Sequence, residues 1–130
     1  MKMSSLSDRK VDIEATSNRL KSLELEWRER KAQRVLQALD EAAAQLGRRF
    51  AGYTAVSIEK GDRVIFVRIG EDRELKLHLK LSFDERGQMH QKFVLRDHQI
   101  RRRPAYEELE KEYSFDSLDQ AIASIVRACD

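Results

Sequence analysis

The side chains best suited to chemistry in this chain are three histidines (His78, His90 and His98), one cysteine (Cys129) and a scatter of carboxylates. A metal centre needs His or Cys at short spacing with a further carboxylate. His78 and His90 fall on one face of neighbouring predicted strands but several positions apart, with no carboxylate ligand beside either. His98 lies roughly opposite Glu74, which amounts to one hydrogen bond. No metal is expected. Cys129 has no nearby His and no CxxC partner, and it falls on an apolar helical stripe, so it reads as a core residue and not a nucleophile. The five glycines sit at turns and helix ends and form no phosphate loop, so no cofactor is expected. Ser, His and Asp occur without a nucleophile elbow, and paired carboxylates occur only in turns and on solvated helix faces. The sequence carries no positive sign of catalysis, so the chain leans toward a non-enzymatic reading. An acid–base enzyme would have to assemble its site in a sheet–helix cleft by tertiary structure.

What remains is a surface. From Leu75 to Phe83 the residues alternate strictly, with Leu75, Leu77, Leu79, Leu81 and Phe83 on one side and Glu74, Lys76, His78, Lys80 and Ser82 on the other. A period of two is the mark of a half-buried strand. After the polar turn Asp84-Glu85-Arg86-Gly87, Met89, Phe93 and Leu95 resume the apolar side. For the apolar faces to coincide, Phe83 must oppose Met89. That register sets Leu79 against Phe93 and Leu77 against Leu95, and on the outer face Lys80 against Lys92 and Lys76 against Arg96. In an upstream hairpin Val56 and Ile58 share the inner face with Ile65, Val67 and Ile69. A two-residue Gly61-Asp62 loop pairs Lys60 with Arg63 and so sets Ile58 against Ile65 and Val56 against Val67.

Like charges opposite one another destabilise an antiparallel pair. The outer face nevertheless gathers Lys76, His78, Lys80, His90, Lys92 and Arg96, with Phe66, Val64 and Val94 among them. Basic residues around an aromatic ring suit an anion or a stacked single strand. Arg101, Arg102 and Arg103 follow at the rim. A phosphate backbone would engage two of them at once, as would the carboxylates of Glu107, Glu108, Glu110 and Glu112. Solvated strand defence by Lys is the plainer explanation of the patch.

The elements that position these residues follow from period and punctuation. Residues 1–7 are short, polar and terminal, and are expected to be a disordered tail. Residues 8–50 contain no proline and one glycine, Gly47, and read as helical. Val35, Leu36, Leu39, Ala42, Ala43, Leu46 and Phe50 make a stripe that docks on the sheet. Upstream, Ile13, Leu20 and Trp27 recur every seven residues with Leu23 nearby, while Thr16, Arg30 and Arg34 interrupt the seam. Leu20, Leu23 and Trp27 therefore call for cover: from a second copy or a protein partner, or from the chain itself if the segment breaks near Thr16-Ser17-Asn18 and folds back. After the strands of 53–97, Pro104 suits the first turn of a short helix over Ala105–Tyr113. Ser117-x-x-Gln120 reads as a capping box for a final helix bearing Leu118, Ala121, Ile122, Ile125, Val126 and Cys129.

The expected architecture is α+β: a long N-terminal helix, a four-stranded antiparallel meander and two C-terminal helices (104–130), all helices on one sheet face. Residues 8–130 are expected to be a single domain, an ordinary size for 130 residues. One cysteine permits no intramolecular disulfide and suits a reducing cytoplasm. No apolar run approaches the roughly 18–20 residues of a membrane span, and the N-terminus is not followed by the apolar stretch of a secretory signal. Residues 1–103 hold 23 Lys and Arg against 16 Asp and Glu, whereas residues 104–130 hold 2 against 7. An acidic tail thus stands ready to neutralise a basic body. Two functions follow as expectations. The first is a cytoplasmic interaction protein (adaptor, regulator or inhibitor) acting by macromolecular binding as a homo-oligomer. The alternative is a nucleic-acid-binding module using the basic sheet face.

Overall fold

The computed structural model describes the backbone of residues 6–130 and side chains from Ala15 onward. Its elements run α1 (Leu6–Arg49), β1 (Val56–Gly61), β2 (Val64–Ile69), β3 (Arg73–Phe83), β4 (Met89–Arg101), β5 (Glu107–Phe115) and α2 (Leu118–Cys129). The five strands form one antiparallel sheet in sequence order. Because α1 begins at Leu6, only residues 1–5 of the expected tail lie outside the described residues.

The apolar sides of β2, β3 and β4 meet the second half of α1 and one face of α2. Leu39, Leu46 and Phe50 from α1 are buried in one cluster with Ile65, Val67, Leu75, Leu77, Phe93 and Leu95, and Ala121 and Ile125 close it from α2. Both helices therefore lie on the inner face. Arg48 and Arg49 place positive charge at the C-terminal end of the α1 dipole. Arg49 also bonds Asp130 at 3.3 Å, tying the ends of the two helices together.

The β3–β4 register is the one the alternation requires: Phe83 opposes Met89, Leu79 opposes Phe93, Leu77 opposes Leu95, Lys80 opposes Lys92 and Lys76 opposes Arg96. The first hairpin differs. Its two loop residues are Asp62 and Arg63, not Gly61 and Asp62, so Gly61 opposes Val64 and Ile58 opposes Val67. A shift of two residues keeps every side chain on its face, so patterning did not choose between the registers. The observed one gains the Val56–Ile69 pair and puts glycine where space is shortest. A Cβ at residue 61 would stand 2.7 Å from Val64 Cγ1 and 3.0 Å from the Phe66 ring. Arg63 accepts a φ of 54° to close the turn.

The largest correction concerns the C-terminal third. Glu107–Phe115 is a fifth strand, so the sheet has five strands, the expected helix over Ala105–Tyr113 does not exist, and α2 is the only C-terminal helix. Pro104 lies in the turn before β5. Strand β4 runs on to Arg101, past the expected end at Asp97, and its free edge is basic. Pairing β5 there sets Arg96 opposite Glu112, His98 opposite Glu110 and Arg101 opposite Glu107. Opposite charges facing each other favour such a ladder, and here they outweigh the helix propensity of a Glu-rich segment. The capping box is also absent: Ser117 stands at the N-cap of α2 but makes no side-chain cap bond.

Candidate functional site

Helix α1 outruns the sheet. Leu39 is fully buried at the centre of the core, yet the residue facing the same way about five turns earlier is Lys21, which is exposed. Leu25 likewise shares its direction with buried Ala43 and is 58% exposed, because no sheet lies beneath it. The last support is the β3–β4 turn: the Arg28 guanidinium lies over the Phe83 ring at 5.6 Å and bonds Glu24 at 2.9 Å. Beyond that point, back to Ala15, the helix runs without support for about 20 Å among the described residues.

Leu20, Leu23 and Trp27 lie on this overhang, 61%, 54% and 48% exposed. They share one flank, rotated by roughly a third of a turn from the row that enters the core. A straight continuous helix cannot turn that flank onto its own sheet. Lys31 caps its lower end, its Nζ 3.5 Å from the centre of the Trp27 ring. The structure thus brings the three expected interface residues together and leaves them uncovered.

The outer sheet face carries no helix, but it is less basic than expected, because β5 joins it. Arg96 meets Glu112 at 3.5 Å, Arg68 meets Glu74 at 3.8 Å and His98 meets Glu108 at 3.9 Å. His90 leaves the group altogether, its Nε2 bonded to Asp84 Oδ2 at 2.9 Å in the turn. Asp84 also accepts the backbone N–H groups of Arg86 and Gln88, and these bonds hold its carboxyl below its ordinary pKa. Of the arginine run, Arg101 faces Glu107 at 3.8 Å and Arg102 donates to Asp72 at 3.0 Å. Arg103 is exposed and unpaired among the described residues.

Lys76, Lys80 and Lys92 make no ion pair among the described residues. Lys76 spends part of its charge on Phe66, its Nζ 5.4 Å from the ring centre, over the surface on which a base would stack. His78 lies in the same row as buried Val64 and Val94. Burial, aided by Lys76, Arg96 and Lys80, pushes its pKa below the ordinary value, so it adds less charge to the face than an ordinary histidine would. The sequence signal for this neutralisation was the count of carboxylates after residue 103. It was legible as charge but not as a strand.

Cys129 lies at the edge of the core, and burial raises its thiol pKa, which favours the protonated thiol at neutral pH. Among the described residues no group of three or more His, Cys, Asp or Glu converges as a metal site, and no helix is long and apolar enough to cross a membrane. Comparison of the chain with family models, characterised proteins and solved structures finds no match.

Proposed function

We propose that this is a non-enzymatic cytoplasmic interaction protein that self-associates through the overhanging half of α1 and acts as an adaptor, regulator or inhibitor by binding macromolecules. The observation that carries this reading is the exposure of Leu20, Leu23 and Trp27 together on one flank of an unsupported helix. Two leucines and a tryptophan in water lose several kcal/mol relative to burial, at about 1.5–3 kcal/mol per large side chain. In proteins most helical stability comes from packing an apolar face and not from propensity.

The flanking charges favour a parallel pair of helices. With Ile13, Leu20 and Trp27 at heptad position a and Thr16 and Leu23 at d, Arg19 and Glu26 occupy g while Glu24 and Lys31 occupy e. In a parallel coiled coil, g of one helix meets the following e of the other. Arg19 then faces Glu24 of the second copy and Glu26 faces Lys31, both attractive. Arg30 and Arg34 occupy the next d and a positions, so the seam ends after Trp27, where the helix reaches the sheet.

The test is sedimentation velocity of the wild type and of Leu20→Glu with Leu23→Glu. A wild-type dimer that persists at high salt and a monomeric variant whose sheet body stays folded are expected. A wild type that is monomeric at every concentration would discard the reading.

A second reading keeps the outer sheet face as a nucleic-acid surface, favoured by Lys76, Lys80 and Lys92 standing unpaired on a face that carries neither helix. Its support is thinner, since Arg96, His98 and Arg101 are engaged by β5 and Phe66 by Lys76. Fluorescence anisotropy of labelled single- and double-stranded DNA and RNA over a salt series separates the readings. Phosphate contacts weaken steeply as salt rises, and Lys80→Glu with Lys92→Glu would remove them without touching the helix seam.

A further inference from the structure

We infer that the cleft between α2 and the β5 side of the sheet is a binding site for a small organic anion, a carboxylate carried on a flat apolar body. The cleft has a volume of about 370 Å³, within the range of small-ligand pockets. It exists because α2 presents its large residues, such as Ile125, to the core and two small ones, Ser124 and Ala128, toward β4 and β5. Larger apolar side chains at those two positions would fill it.

The floor is apolar, made by Leu75 and Leu95 of the buried core and by Phe115, with Tyr113 on the β5 side. One wall is an ion pair beside the apolar core, where the inner face turns polar toward the end of β4. Arg73 donates from Nε to Asp97 Oδ1 at 3.0 Å and from Nη2 to Asp97 Oδ2 at 2.7 Å. An apolar pair of similar volume would serve stability at least as well. This one borders a cleft, where polar walls suit a polar guest.

The charge of that guest follows from which groups are already satisfied. Both oxygens of Asp97 are taken by Arg73, so no free carboxylate remains in the lining to hold a cation. Across the cleft Arg127 lines the rim, and its one hydrogen bond among the described residues runs to Ser124 Oγ at 3.3 Å. A guanidinium with no anionic partner over an apolar floor recognises a carboxylate by two parallel N–H···O bonds. The ring or branched body of the ligand then lies against Phe115 and Tyr113, which are the lining aromatics still open to solvent, with Leu75 and Leu95 beneath.

This site is separate from the α1 seam and stands or falls without it. The experiment is a titration of the full chain with benzoate, followed by the methyl resonances of Leu75, Leu95 and Ala128. Benzyl alcohol serves as the neutral counterpart and inorganic phosphate as the anion without a body. Saturable benzoate shifts confined to the cleft are expected, with benzyl alcohol weaker by about tenfold or more, the scale of one hydrogen-bonded charge, and phosphate without effect on the floor methyls. Arg127→Ala, a surface change, should erase the preference for benzoate over benzyl alcohol, and Arg127→Lys should keep part of it. Absence of saturable shifts, equal binding of the acid and the alcohol, floor shifts with phosphate alone, or an unchanged preference in Arg127→Ala would each overturn the assignment.

Discussion

Asp97 and His78 are the two polar residues whose surroundings most constrain them. Asp97 sits on the inner face beneath α2, with its side chain 13% exposed and both oxygens bonded to Arg73. Replacing it with Asn keeps the shape but leaves a half-buried guanidinium without its countercharge. The loss of stability should be about 1–3 kcal/mol, below that of a fully buried pair because Arg73 still reaches water. Urea denaturation of Asp97→Asn checks this, with an unchanged m-value marking an unaltered fold. His78 works through pH. Its folded pKa is lowered, so the unfolded chain takes up the proton first. Its neutral form is compatible with full stability above the unfolded value of about 6.5, and stability falls as pH drops through that value toward the folded one. His78→Gln should therefore flatten the loss of stability between about pH 7 and pH 5. A slope unchanged from the wild type would place the acid sensitivity elsewhere.

Among the elements, β5 is the one held by charge. Its register sets Glu112 against Arg96 and Glu107 against Arg101, and its own apolar content is confined to Leu109, Tyr113 and Phe115. Glu112→Arg should destabilise the protein by several tenths of a kcal/mol, and the added change Arg96→Glu should recover most of it, as expected for an exposed cross-strand pair. A double-mutant cycle by thermal unfolding measures that coupling; a value of zero would mean that β5 is held by Phe115 and the backbone ladder alone. The same strand marks where sequence reading stopped. The pairing of β3 with β4 was legible because nine alternating positions fix the faces and the short polar turn at 84–87 limits the register, although β4 runs on past Asp97 to Arg101. In β5 the same pattern is carried by Glu and Lys, which satisfy helix spacing as readily as strand spacing. Only the basic free edge of β4, a tertiary feature, decides between them. The first hairpin failed more mildly, since Gly61-Asp62 and Asp62-Arg63 loops keep identical faces. The crowding of Val64 and Phe66 against residue 61 chose between them. Of the surfaces, the flank of Leu20, Leu23 and Trp27 was legible from spacing alone. The neutralised sheet face was not, because it depends on β5.

At the scale of the whole molecule, a packed body of sheet and helix ends carries an apolar helix flank that it cannot itself cover. If that flank pairs with a second copy, association and folding share one equilibrium, and stability becomes a function of protein concentration. The melting temperature should then rise steadily with concentration in the wild type. It should be flat, and lower, in Leu20→Glu with Leu23→Glu, whose body retains Leu39, Leu46 and Phe50 in place. Salt sharpens the comparison. The attractive pairs of Arg19 with Glu24 and of Glu26 with Lys31 are exposed and screened at high ionic strength, whereas burial of Leu20, Leu23 and Trp27 is not. High salt should thus shift the dimer only slightly, by a few tenths of a kcal/mol per screened pair. A dimer that dissolved completely in salt would be held by these exposed charge pairs and not by burial of the apolar flank. Lys80→Glu with Lys92→Glu, on the outer sheet face away from α1, should leave the concentration dependence of melting untouched if the seam is α1.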